Sequence, residues 1–93
     1  MVIKNFRHKG LKEFFDTGGQ KGIAQAHSKR LSLILDLLDS AAEVRDAEFP
    51  GSHLHPLKGN LKNYWSVRVS GNWRIIFQFD DGNVFNVDYI DYH

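Results

Sequence analysis

Cysteine is absent from the 93-residue sequence, which excludes disulfides, thiolate nucleophiles and zinc–thiolate sites together. Small secreted domains usually need such staples, so a cytoplasmic setting is expected. No run of 18 uncharged apolar residues occurs, and Met1-Val2-Ile3-Lys4-Asn5-Phe6-Arg7 does not resemble a signal peptide, so no membrane partner is expected. There is no internal repeat, no low-complexity tract and no glycine-rich phosphate loop ahead of a helix. Together these absences leave most thiol and nucleotide chemistries without residues to perform them.

What is present is a single domain's worth of chain, residues 1–93, with an aromatic share of 13% to fill its core. The formal net charge is only +1, but the charges are unevenly spread. Lys4, Arg7, Lys9, Lys12, Lys21, Lys29 and Arg30 crowd the first third, and Asp36, Asp39, Glu43, Asp46 and Glu48 follow. Lys58, Lys62, Arg68 and Arg74 then come with no acid between them. A phosphate-binding surface can be built from that last set.

The apolar spacing predicts an α+β fold. Val2 to Phe6 reads as an N-terminal strand, and Leu11, Phe14 and Phe15 mark a short helix that Gly18-Gly19 ends. Leu31, Ile34, Leu35, Leu38 and Ala42 recur at helical spacing, predicting a long helix over 23–43 with one buried face. Phe49-Pro50-Gly51-Ser52 is a turn. The period then falls to two through Trp65, Val67 and Val69 and again through Trp73, Ile75, Phe77 and Phe79. Keeping both apolar sets on one face pairs Val69 with Trp73, Val67 with Ile75 and Trp65 with Phe77 around a three-residue loop, Ser70-Gly71-Asn72. The same parity pairs Phe79 with Phe85, Phe77 with Val87 and Ile75 with Tyr89 around Asp81-Gly82-Asn83. The expected architecture is a two-helix hairpin packed on one face of a C-terminal, three-stranded antiparallel meander whose other face is open.

Arg68 and Arg74 come out directly opposed on the open face, with Tyr92 diagonal to Arg74. Like charges facing across a ladder destabilise a sheet, and a phosphate backbone between them would relieve the cost. The remaining chemistry is imidazole, carboxylate, phenol and cation. That set suits RNA cleavage by the ribose 2′-hydroxyl, in which a base removes its proton, an acid protonates the leaving oxygen and cations stabilise the phosphate. His55 and His93 are the imidazoles proposed for proton transfer, because imidazoles titrate near neutrality. The apolar alternation through Val87 and Tyr89 should hold Asp91-Tyr92-His93 against the sheet. Tyr64 and Tyr92 are the expected base-stacking rings, whereas parity puts Trp65 and Trp73 in the core. His53 and His55 at i and i+2 could begin a metal site with His93 and Asp91. Pro56 and Lys58 bring a cation close to it, so neither metal nor cofactor is expected.

Three segments together carry a family resemblance: Leu54-His55-Pro56-Leu57-Lys58-Gly59, Asn72-Trp73-Arg74-Ile75-Ile76-Phe77 and Asp91-Tyr92-His93. With Ile3-Lys4-Asn5-Phe6 and Lys9-Gly10-Leu11 they span nearly the whole chain. In this order and spacing they resemble the HigB group of the RelE superfamily, the ribosome-dependent messenger-RNA interferases of type II toxin–antitoxin systems. The resemblance implies the RelE-like microbial ribonuclease fold and cleavage of mRNA in the A site of the 70S ribosome. It also implies inhibition by a HigA-type helix-turn-helix antitoxin, with DNA contacted only through that complex. It implies catalytic roles for His55, Asp91, Tyr92 and His93, phosphate contacts from Lys58 and Arg74, and nucleotide placement by Asn72. The charge pattern adds Arg68 and Lys62 as RNA contacts. Two alternatives use the same fold differently: a toxin that binds a protein such as gyrase, and a noncatalytic RNA-binding module that would not depend on the histidines.

Overall fold

The computed structural model describes residues 2–92. Helix α1 spans Lys9–Thr17 and helix α2 spans Ser28–Ser40. The sheet contains β1 (His55–Pro56), β2 (Trp65–Ser70), β3 (Trp73–Asp80) and β4 (Asn83–Asp91). All neighbouring strands are antiparallel and the order is β1-β2-β3-β4. The sheet thus has four strands rather than three, the extra one being a two-residue edge. Among the described residues no helix is long and apolar enough to cross a membrane.

Local chemistry sets the helix ends. His8 caps α1, its Nδ1 accepting from the Leu11 N–H at 2.9 Å, which satisfies one of the free donors of the first turn. Gly18 ends it at φ 79°, in the left-handed region, with its N–H bonded to the Phe14 carbonyl. Helix α2 is shorter than the spacing predicts. A 3₁₀ turn, Gln25–His27, precedes it, and the chain turns extended at Ala41. The Asp46 carboxylate accepts from the Ala42 and Glu43 N–H groups at 2.8 and 3.1 Å. These contacts lower its pKa and hold the chain outside the helix. Ala41 is buried in place of the expected Ala42.

Leu31, Ile34, Leu35 and Leu38 of α2 join Leu11 of α1 against Val67, Ile75, Phe77, Val84, Val87 and Tyr89 of the sheet. The pairs Trp65 with Phe77, Val67 with Ile75, Arg68 with Arg74, and Ile75 with Tyr89 stand as parity predicts. Trp65 and Trp73 are half-buried and pack on the core, as expected.

Both expected three-residue loops are two-residue turns instead. Gly71 takes φ 56° at the first, and Asp81 and Gly82 take 49° and 79° at the second, the positive values that tight hairpins require. A bulge beside each turn restores the parity. Val69 is the extra residue of β2, so Ser70 rather than Val69 pairs with Trp73. In β4 Asn86 is the insertion, at φ 53°, so Phe79 pairs with Val84 and Phe85 faces Gln78 on the other side of the sheet. Val84 and Val87 thereby both reach the core.

The same bulge shapes the N-terminus. Residues 2–6 run parallel to β4, but the strand expected there is reduced to isolated bridges, Ile3 to Val84 and Phe6 to Val87. Between them Asn5 Nδ2 donates to Asn86 Oδ1 at 2.7 Å, and the Asn86 N–H donates to Asn5 Oδ1 at 3.0 Å. Asn86 Nδ2 also donates to Gln78 Oε1 at 2.6 Å.

Asn86 therefore combines a backbone conformation and a side-chain network that different substitutions separate. Asn86→Gly keeps the conformation and should lose about 1–2 kcal/mol of stability with the side-chain hydrogen bonds. Asn86→Val should lose roughly 1–3 kcal/mol more, because a β-branched residue is strained at positive φ. Urea unfolding followed by tryptophan fluorescence measures both; equal losses would mean that strain contributes nothing.

Candidate active site

The second face of the sheet is not open throughout. Leu57, Tyr64 and Ile76 form a small buried cluster on it, with Leu61 and Ile90 packed alongside. Tyr64 is 9% exposed, and its hydroxyl accepts from Arg7 Nη1 at 3.2 Å. That bond, with the charges of Tyr64 and Asp88, raises the Arg7 pKa further. The expectation of Tyr64 as a stacking ring is therefore corrected: its ring already packs on protein and has no free face for a base.

Beyond this cluster the face becomes cationic. Arg68 and Arg74 are directly paired across β2 and β3 and both are half-buried. Among the described residues the ion pairs are Lys12 with Asp16 and Arg45 with Glu43, so no carboxylate there neutralises either arginine. Arg74 Nη1 donates to the Gly71 carbonyl at 2.9 Å, while its Nε is buried without a hydrogen-bond partner among the described residues. His55 pairs with Ser66 on β2, two residues from Arg68 and on the same side of the strand. The Ser66 side chain, beneath this region, is also buried with its Oγ unpartnered.

A shallow depression of about 360 Å³ is lined by His53, His55, Arg68, Gly71 and Arg74. Three residues expected from the sequence thus meet there, joined by His53, which the sequence reading left out. The signal for His53 is its backbone at φ 48°, which residue type alone does not reveal. A larger hollow of about 600 Å³ lies at the other end of the sheet, among Asn63, Trp65, Gln78, Phe85 and Asn86, and carries Asp80 but no cation. Phosphate would find no counter-charge in it, so the smaller, cationic depression is the better anion site.

The segment carrying His53 and His55 is tied down on both sides. Arg30 Nη2 donates to the Gly51 carbonyl at 2.9 Å and its guanidinium lies 4.8 Å from the Phe49 ring. The Phe49 N–H donates to Ser52 Oγ, and the Ser52 carbonyl accepts from the Arg68 N–H at 2.7 Å. Downstream, the Leu57 N–H donates to the Tyr64 carbonyl at 2.9 Å.

The other expected residues are more scattered. Lys58 and Lys62 are exposed on either side of the 3₁₀ turn Gly59–Leu61 and do not line the depression. The Asn72 carbonyl accepts from the Tyr92 N–H at 2.7 Å, tying the end of the chain to the β2–β3 turn. Tyr92 is 38% exposed and shares the arginine face by alternation. Asp91 pairs with Trp73 and so faces the helix side, not the side of Arg74. On that side Trp73 stacks on Tyr89 with centroids 4.7 Å apart, and the Tyr89 hydroxyl lies 2.6 Å from His27 Nδ1. Burial raises the Tyr89 pKa. His93 lies outside the described residues.

Comparison with known proteins gives a consistent result. A family model described as the RelE-like toxin of the type II toxin–antitoxin system HigB matches residues 4–93. Endoribonuclease HigB of Proteus vulgaris is 41% identical over 92 residues, covering 99% of this chain and 100% of the relative. Toxin HigB-1 of Vibrio cholerae is 36% identical over 90 residues, covering 95% and 94%. The solution structure of a conserved hypothetical protein from Helicobacter pylori matches with a TM-score of 0.51 at 16% identity, covering 96% of this chain and 94% of that one. This last likeness concerns the fold alone.

The opposed arginines generate a prediction that is independent of any ligand. Arg68→Gln should raise stability at low salt by about 0.2–1 kcal/mol through relief of like-charge repulsion. The gain should shrink above roughly 0.15 M salt, where the Debye length falls to about 8 Å. Urea titrations of both proteins at two salt concentrations measure this; a salt-independent difference would mean that the guanidinium groups do not repel.

Proposed function

The chain belongs to the HigB-like toxin family of type II toxin–antitoxin systems, and we propose that it cuts messenger RNA on the ribosome by metal-independent acid–base chemistry. As a member of this family it is a toxin with endoribonuclease activity. Its partners in the proposal are the 70S ribosome, mRNA and a HigA-type helix-turn-helix antitoxin, and its site of action is the cytoplasm. The observation that carries the reading is the Arg68–Arg74 pair beside His55, a cationic floor with an imidazole at its edge and no ion pair to a carboxylate among the described residues.

In the proposed reaction the 2′-oxygen of the nucleotide before the cut attacks phosphorus as its proton passes to a base. The bond from phosphorus to the 5′-oxygen breaks, and an acid protonates that oxygen. His55 and His93 are the two proton-transfer groups, with Tyr92 beside them at the chain end; Asp91, whose register turns it to the helix side, keeps a catalytic role only as the family resemblance implies it. Arg74 and Lys58 stabilise the charge that builds on phosphate. Arg68 and Lys62 hold the RNA backbone, and Asn72 helps position the nucleotide. The depression is shallow, so orientation of the scissile phosphate must come largely from the ribosome. Among the described residues no three His, Asp or Glu side chains gather as a metal site would require.

Cleavage on programmed ribosomes should leave a 2′,3′-cyclic phosphate or 3′-phosphate and a 5′-hydroxyl, and naked RNA should be cut far more slowly. End-mapping of both reactions is the test. A 5′-phosphate would mean that water is the nucleophile, and equal rates would remove the ribosome from the mechanism. Deleting His93 should lower single-turnover cleavage by about 10²–10⁴-fold, the usual contribution of an acid–base group, while leaving the melting temperature unchanged. Full activity in that deletion would assign proton transfer to His55 and Asp91 without it.

A further inference from the structure

Four non-glycine residues among those described have positive φ: His53, Asn63, Asp81 and Asn86. Asp81 sits in a tight turn, Asn86 forms the bulge that sets the β4 register, and asparagine tolerates this region well. His53, at φ 48°, belongs to neither a hairpin turn nor a bulge. It lies between two anchors, the Ser52 carbonyl bonded to the Arg68 N–H and the β1 pairing of His55 with Ser66. Pro56 further restricts His55 to an extended backbone. Residue 53 is the left-handed residue between those anchors.

One short contact spans this left-handed residue and the one after it. The His53 carbonyl oxygen lies 2.6 Å from His55 Nδ1. A carbonyl oxygen carries no proton, so Nδ1 must be the donor, and in the neutral ring the lone pair is then on Nε2. Which ring nitrogen of a histidine can react is set by the hydrogen bond that the other one makes. Here a backbone carbonyl makes that choice, where a carboxylate often does.

We propose that His53 is a positioning residue acting through its backbone: its left-handed conformation holds His55 as the Nδ1–H tautomer, leaving Nε2 bare to accept the 2′-hydroxyl proton. The proposal rests on the reading of His55 as a participant in cleavage and assigns it the base's role. His55 Nε2 takes the proton as the bond from the 2′-oxygen to phosphorus forms and the bond to the 5′-oxygen breaks. The 5′-oxygen receives a proton from a second group. His55 leaves the step as an imidazolium whose Nδ1–H still donates to the His53 carbonyl, a bond that strengthens with the positive charge. Arg68 and Arg74 line the same depression as His55, so the accepted proton and the phosphate are handled side by side. The His53 side chain is not needed for any of this.

Long-range ¹H–¹⁵N spectra of histidine-labelled protein at about pH 8, where imidazoles are ordinarily neutral, read the tautomer directly without any substitution. The Nδ1–H pattern is expected for His55, and an Nε2–H pattern overturns the proposal. His53→Gly adopts positive φ freely and should keep the Nδ1–H tautomer of His55. His53→Val disfavours positive φ and should lose the tautomer bias together with roughly tenfold or more in rate. A His53→Gly protein that loses the Nδ1–H tautomer as His53→Val does would show that the side chain sets it, against the proposal. His55→Ala separates the two readings. Full cleavage without the imidazole removes the role of His55 and with it the assignment of the base, whereas an Nε2–H signature with inactive His55→Ala overturns only the positioning by His53.

Discussion

The sheet must keep one face apolar from β2 to β4, because Leu31, Ile34, Leu35 and Leu38 of α2 pack on that face alone. A one-residue slip in any strand would bring polar residues inward and turn the core outward. Two-residue turns at Gly71-Asn72 and Asp81-Gly82 threaten such a slip at each hairpin. The Val69 and Asn86 bulges remove it, each by one inserted residue. The turns and bulges are therefore a single device, and the N-terminal segment depends on it as well, since Asn5 docks on Asn86.

The same device sets the functional face. With Val69 absorbed in a bulge, Arg68 and Arg74 remain opposed. The Gly71 turn then brings a carbonyl within reach of Arg74 Nη1. At the same tight turn the Asn72 carbonyl accepts from the Tyr92 N–H, which secures the last described residue of the chain to the end of the sheet where the arginines lie. Local hairpin chemistry, core parity and the position of the cations are linked, so a change of turn length here would move all three.

The apolar face of α2, the Gly18 stop and the Arg68–Arg74 pairing were legible in the sequence because each follows from a period or a local residue preference. The bulges were not. Parity argued for three-residue loops, and the Asp81-Gly82 pair, a strong signal for a two-residue turn, pointed the other way. Both constraints were real, and an inserted residue satisfied them together. The end of α2 depends on Asp46 reaching back to Ala42 and Glu43, a contact formed only once the chain has turned. β1 has two residues, too few to show a period. Tyr64 was assigned to the correct face, but its burial requires the folded-over Leu57 and the hydroxyl contact with Arg7. His53 is distinguished by backbone conformation, and Asp91 differs from Tyr92 in facing only through its register with Trp73.

What remains at the site is polar capacity that the described residues do not use. Arg74 Nε and Ser66 Oγ are buried without partners, and two arginines are paired across the ladder without an ion pair to any described carboxylate. Buried polar atoms are nearly always paired, and leaving one unpaired costs about 1–3 kcal/mol. A sequence selected for stability alone would place a carboxylate opposite Arg74 or replace Arg68. Such a carboxylate would neutralise the floor of the depression and repel a phosphate, however, while loss of Arg68 would halve its charge. On the proposed reading, the stability lost in the free protein is the counterpart of anion affinity. A phosphate between the arginines would remove the repulsion.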